Sequence, residues 1–382
     1  MQLAKVNSIF CLFAAVILLF TSWVIYYALP YKHVFELIFA ALILFKYHDF
    51  SKRNKNLYFI FILISLWYYR PADFDFDILA TGIYKSLLFG LIFFLPESFL
   101  QTIFKYFRLI LCILVAYGIV FHVLRLLGIF TLPEIALVFS DYRYYDVYPF
   151  LVYQHESAMR FSSIFDEPGY LGTLSVFVLI LGGMNLTRWY NLVLLIGGIL
   201  SLSFAFYVML AVVLVIYIIK SRSDYILLLI GAVVFLINKY LPEFFTPFLE
   251  REEMAIFWGG TYSDNRGDSD KAIKFIHNMP FFNVLIGNGY DSPVKYFRDN
   301  NDGLASSSIW RMILQMGYLG VISVVLFIIG FTKKYFLNIL FAFVFILSIY
   351  QRPHIFELIF VFLLCCGLSG ATIDGNKSQS SL

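Results

Sequence analysis

Apolar stretches long enough to cross a bilayer follow one another along this chain, and no other feature constrains its fold so strongly. A bilayer core about 30 Å thick needs about 20 apolar residues in a helix. Stretches that meet or nearly meet that length lie at 8–28, 32–47, 56–70, 77–95, 101–127, 169–186, 189–202, 203–219, 224–240, 306–331, 334–350 and 353–369. Of the 382 residues, 61% are hydrophobic and only 14% charged. A soluble domain carries about 25% charged residues, so this chain lacks the polar groups to cover itself in water. The expected fold is all-α: a polytopic integral membrane bundle of about twelve helices, each sized to the bilayer. It forms a single domain over 1–370, followed by a short polar tail at 371–382. The first apolar run exceeds the roughly 7–15 residues of a secretory h-region and no small-x-small cleavage site follows it, so it reads as a retained membrane helix. Neither a 20–50-residue repeat nor the two matched halves of many transporters is visible.

Lysine and arginine orient the bundle. With the N-terminus in the cytoplasm, one set of short connections holds Lys46, Lys52, Arg53, Lys55, Lys105, Arg108, Arg188, Lys220, Arg222, Lys333 and Lys334. The opposite short connections hold only Lys32, Arg70 and Arg352, and one of them is acidic (Asp73, Asp75, Asp77). That asymmetry is the positive-inside rule, and it puts both termini in the cytoplasm. Two connections, 128–168 and 241–305, are then long and extracytoplasmic; loops of this length are uncommon unless functional or disordered. The first contains Tyr142, Tyr144, Tyr145, Tyr148 and Tyr153 among carboxylates, suited either to stacking on sugar rings or to an interfacial aromatic belt. The second contains an amphipathic stretch, Ser269–Asn278, expected to lie in the membrane interface.

Polar chemistry gathers where these loops meet the apolar stretches. The first loop ends in Arg160-Phe-Ser-Ser-Ile-Phe-Asp-Glu-Pro-Gly169. Asp166, Glu167 and Pro168 are ordinary residues for a helix start. Arg160 is less ordinary, because it stands on the side where positive charge is scarce, and a guanidinium there is suited to bidentate phosphate binding. The second loop carries Arg266, Pro280 and a Gly287-Asn-Gly289 turn, whose glycines let backbone approach a ligand or another helix. The next stretch carries Arg311 and Gln315 on one face, with Gly317 and Gly320 offering a smooth face for helix packing. Arg160, Arg266 and Arg311 can either converge on an anionic headgroup or form three separate structural salt bridges. Lys85, inside the fourth stretch, either snorkels toward the extracytoplasmic end or helps to hold such a headgroup. Cys11, Cys112, Cys365 and Cys366 sit in apolar stretches and read as small hydrophobes. His155 and His277 lack a second metal ligand at helical spacing.

These elements, in this order and on this side, resemble the bacterial O-antigen polymerase (Wzy) and O-antigen ligase superfamily. The matching residues are Arg160 with Glu167-Pro168, Arg266, Pro280 with Gly287-x-Gly289, and Gln315-x-Gly317-x-x-Gly320. The resemblance implies a GT-C-like membrane glycosyltransferase of polysaccharide biosynthesis, acting at the outer face of a bacterial inner membrane. Its substrates would be oligosaccharides linked to undecaprenyl diphosphate, as donor and as acceptor. It would need no cofactor, nucleotide sugar or metal, and no nucleic acid. Membrane lipid would surround it, and a chain-length regulator protein fits as a partner. The arginines would neutralise the leaving diphosphate, and Glu167 or Asp166 would act as base on the acceptor hydroxyl. Pro168, Gly287, Gly289, Gln315, Gly317 and Gly320 would shape the site. Ligases carry a His-Asn pair where this chain has Ser306 and Ser307, which favours polymerase over ligase. A flippase, the other alternative, would keep its external loops short and its charges mid-helix.

Overall fold

The computed structural model describes residues 2–22, 33–46, 55–129, 135–138, 144–148, 151–154, 160–221, 268–293, 309–351 and 354–369. The 224–240 stretch, Tyr142, His155, Arg266, Ser306, Ser307 and the 371–382 tail lie outside these residues. The described chain is mostly helical: α1 (Gln2–Phe20), α2 (His33–Lys46), α3 (Lys55–Tyr68), α4 (Phe76–Gly90, continued by a 3-10 turn at Leu91–Phe94) and α5 (Glu97–Leu126). After the first long loop come α6 (Pro168–Leu181), α7 (Trp189–Leu200) and α8 (Phe204–Ser221). After the second come α9 (Asp268–Asn278), α10 (Phe281–Ile286), α11 (Ile309–Phe331), α12 (Phe336–Gln351), a 3-10 turn (His354–Phe356) and α13 (Leu358–Ser369). Every expected apolar stretch within the described residues contains a helix. Among the described residues, three runs are long and apolar enough to cross a membrane: Phe76–Phe94, Glu97–Leu126 and Ile309–Phe331. Several other apolar helices, including α3, α6 and α13, have 10–17 residues.

Burial explains the arrangement. Every residue of α6 is buried, and so is α13 from Leu358 to Leu368. Helices that are apolar all round belong inside a bundle, and α6 accordingly packs against α7, α8, α12 and α13. Phe177 of α6 stacks on Phe345 of α12 at 5.1 Å between ring centroids. The surrounding helices instead turn large apolar side chains outward, such as Leu63, Ile113 and Leu326. In water that surface would be unstable; in lipid it is the ordinary outer face of a bundle.

A small sheet accompanies the helices. The first long loop forms an antiparallel three-stranded sheet, β1 (Ile135–Val138), β2 (Tyr144–Tyr148) and β3 (Leu151–Gln154). Its register pairs Ile135 with Val147 and Tyr148 with Leu151. Tyrosine and valine favour the pleated, half-buried surface of a strand, so the tyrosines at 144, 145 and 148 are strand residues. The sheet is tied to the bundle where Val152 N donates to Ser163 O (2.7 Å) and Ser162 Oγ donates to Val152 O (2.5 Å). The amphipathic stretch of the second loop is a helix, α9, with Ile276 buried and Lys274 and His277 exposed.

Candidate functional site

The Leu285–Asp291 turn and the start of α11 lock together backbone to backbone. Asn288 N donates to Leu314 O (2.7 Å), and Gly289 N donates to Gln315 O (3.0 Å). These two carbonyls are available because α11 breaks at Gly317, which has φ 70° and ψ 177°. Gly287 has nearly the same conformation, φ 79° and ψ 172°. That region of backbone space is open essentially to glycine alone. A Cβ on Gly287 would lie 2.5 Å from Gln315 O and Gly317 N, and one on Gly317 would strike the Leu285 carbonyl. Gly317 is therefore not part of a smooth helical face paired with Gly320, as its spacing suggests. It is the break that receives the other glycine turn, while Gly320 packs against Met316 of its own helix.

The same turn is clamped from the α3–α4 connection. Arg70 Nη2 donates to Gly287 O (2.6 Å) and Ile286 O (3.3 Å), and Trp67 Nε1 also donates to Ile286 O (2.9 Å). Tyr290 N donates to Arg70 O (2.6 Å), and Ala72 N donates to Asp291 Oδ1 (2.7 Å). Each such bond contributes about 1 kcal/mol net. Together they fix the turn between α3, α4 and α11.

An aromatic cluster with charged edges grows from this junction. Tyr68 stacks on Phe356 at 4.2 Å and meets Tyr290 edge-on at 5.5 Å. Tyr69 packs on Tyr290 at 5.1 Å and donates its hydroxyl to Phe356 O (3.2 Å). Arg311, in the first turn of α11, and Glu357, just before α13, both lie within electrostatic reach of Tyr68. The Gln315 amide is also beside Tyr68. Its Nε2 donates to Tyr290 O (2.8 Å), while its Oε1 is fully buried with no hydrogen-bond partner. Glu357 Oε2 accepts the Tyr170 hydroxyl (3.0 Å). Tyr170 belongs to the first turn of α6, so the carboxylate joins the cluster to the Asp166-Glu167-Pro168 element.

At that element the chain enters α6 with Pro168 in the first turn and Glu167 extended at the cap (φ −133°, ψ 140°). Asp166 and Glu167 are partly exposed, whereas the Phe161–Phe165 segment before them is buried. Phe165 stacks on Tyr170 at 5.1 Å. Arg160 lies over the α7–α8 turn, with Nε 3.3 Å from Ser201 O and Nη2 3.5 Å from Leu202 O. Carbonyls at a helix C-terminus attract a cation, so this arginine has a structural anchor as well as its place beside the α6 start. Lys85 points its ammonium over the Tyr69 ring, 5.7 Å from the centroid.

The structure thus joins Gly287, Gly289, Gln315 and Gly317 directly, with Arg311 at their edge. It places Arg160, Asp166, Glu167 and Pro168 at the same end of the bundle, linked through Tyr170 and Glu357. Arg266 is outside the described residues. The residues that sequence reasoning passed over are Glu357, Tyr68, Tyr170 and the clamp Arg70. The available signal for Glu357 was a carboxylate opening the last apolar stretch on the side where Arg160 lies. Among the described residues, no group of three or more His, Cys, Asp and Glu could hold a metal ion. No family model, no curated protein and no solved structure matches the chain.

Proposed function

We propose that this chain is a polymerase of lipid-linked oligosaccharide repeat units at the outer face of a bacterial inner membrane. It would act as a metal-independent glycosyltransferase, moving a growing glycan from undecaprenyl diphosphate onto the next lipid-linked unit. The observation that supports this reading is the gathering, at one end of an apolar bundle, of arginines, tyrosines and carboxylates that lie far apart in sequence. In this reading that end, which holds the α3–α4 turn, faces outward, and about twelve spans return both termini to the cytoplasm, as the lysine and arginine bias requires. Arg311, with Arg160 and Arg266, would neutralise the diphosphate as it departs. Fixed cations in a water-poor site stabilise developing charge without reorganising. A carboxylate at the junction, Glu167, Asp166 or Glu357, would take the acceptor proton.

Replacement of the chromosomal gene by Arg160→Ala, Arg266→Ala or Arg311→Ala tests the proposal. Membrane abundance should stay normal while surface glycans shorten to a single repeat. Long polymer in all three variants would refute it. A flippase defect would instead leave no repeat units at the outer face, and a ligase defect would leave long chains stranded on the lipid carrier.

A further inference from the structure

We infer that a small cavity beside the glycine turn binds one pyranose ring of the acceptor glycan. This inference rests on the polymerase reading. Its starting point is α4, one of the runs long and apolar enough to cross a membrane. Asp77, Thr81 and Lys85 follow one another at i, i+4 and i+8 on that helix, so they share one face. Ionisable residues on a membrane helix are expensive and mark functional surfaces. Asp77 alone would be an ordinary first-turn acid, but Thr81 and Lys85 continue the stripe beyond the first turn.

The stripe faces a cavity. Tyr69, Asp77, Ile78, Thr81 and Tyr290 line a space of about 260 Å³. That is below the roughly 300–1,000 Å³ of pockets for drug-sized ligands, so it admits one ring and not an oligosaccharide. A pyranose offers an apolar face of C–H groups and a rim of hydroxyls. Tyr69 and Tyr290 supply flat amphipathic rings for the face, and the Asp77 carboxylate and Thr81 hydroxyl supply acceptors and a donor for the rim. Lys85 brings its ammonium to the Tyr69 ring at the inner end of the stripe.

Both aromatic walls are held in advance. Tyr69 donates to Phe356 O (3.2 Å), while Tyr290 is pinned through its own N–H to Arg70 O (2.6 Å) and through its carbonyl to Gln315 Nε2 (2.8 Å). Preorganised walls lower the ordering cost of binding. Tyr290 also touches Tyr68, which lies in the field of Arg311. The rings of Tyr290 and Tyr68 therefore stand between the cavity and the proposed diphosphate site. Among the described residues no arginine lines the cavity, so the donor diphosphate belongs on the far side of Tyr290 and the acceptor sugar on this side.

The test uses the full-length protein in vesicles of phosphatidylethanolamine and phosphatidylglycerol. Undecaprenyl-diphosphate repeat unit serves as saturating donor, and a fluorescent repeat unit on a short alkyl diphosphate serves as varied acceptor. Asp77→Asn should raise the acceptor KM about tenfold or more, and Thr81→Val about threefold to tenfold, with kcat within about twofold. Both side chains are exposed, so melting temperatures should match the wild type. Unchanged acceptor KM in both variants, with the wild type polymerising, would overturn the inference. Absence of polymer from the wild type would instead sink the polymerase reading. In that event, equilibrium binding of the same fluorescent analogue decides the cavity: weaker binding in both variants supports it, and equal binding overturns it.

Discussion

Gly317→Ala adds one methyl group at the point where two backbones touch. The alanine must adopt φ 70° and ψ 177°, a conformation that costs a non-glycine residue about 1–3 kcal/mol. Its Cβ would also strike the Leu285 carbonyl and lie 2.5 Å from Gly287 N. These are backbone atoms, so no side-chain rotation relieves the contact. If the turn lifts away, the bonds Asn288 N to Leu314 O, Gly289 N to Gln315 O and Gln315 Nε2 to Tyr290 O are lost, at about 1 kcal/mol each. The combined loss is about 4–6 kcal/mol, or a drop in melting temperature on the order of 10 °C in detergent. Gly330→Ala is the matched control. Gly330 sits near the end of the same helix with nothing within 4 Å of an added Cβ, so alanine there should be neutral or stabilising by up to about 1 kcal/mol. Equal melting temperatures for Gly317→Ala and Gly330→Ala would show that the break and the turn are not locked together.

The remaining expectations concern the junction, the bundle ends and the topology. Tyr170→Phe removes the hydroxyl that reaches Glu357; polymer yield should fall several-fold while the melting temperature shifts by only about 1 kcal/mol equivalent, and unchanged yield would remove Glu357 from the site. Arg70→Met should loosen the clamp on Ile286 and Gly287, lowering stability by about 2 kcal/mol, read as a melting shift that Arg70→Lys partly restores. Glu97→Gln breaks the exposed pair with Lys333 (3.2 Å) at the other end of the bundle; it should change stability by less than about 1 kcal/mol and leave glycan length alone. Cysteines placed at Asp146 and Asp268 should react with an impermeant maleimide on intact spheroplasts, against a silent background because Cys11, Cys112, Cys365 and Cys366 are all buried; protection of both would reverse the orientation.

Much of the bundle was legible because hydrophobic run length is a one-dimensional property. The helices within 56–70, 101–127, 169–186 and 306–331 needed no tertiary information to locate. The sheet was not legible in the same way: Tyr144–Tyr148 shows no clean alternation of apolar and polar residues, and its pairing with Ile135–Val138 is set by partners elsewhere in the loop. The glycines read in sequence as a turn and as a helix-packing pair, but spacing carries no sign of φ. That Gly287 and Gly317 share one strained conformation because they face each other is visible only in three dimensions. Arg160 and Arg311 stood out as cations on a side poor in positive charge. Glu357 did not, since one carboxylate near a helix start is ordinary until Tyr170 and Tyr68 are seen around it. In the sequence Arg70 is only a sparse outside charge, and its use as a clamp depends on the docking of the turn.

The most direct measurement is the length distribution of surface glycan made in cells carrying Arg311→Ala as the sole copy. The polymerase account predicts a full-abundance protein and a ladder collapsed to a single repeat, with Arg311→Lys restoring part of the length because a point cation replaces part of the guanidinium's field. A normal ladder from well-inserted Arg311→Ala protein would contradict it.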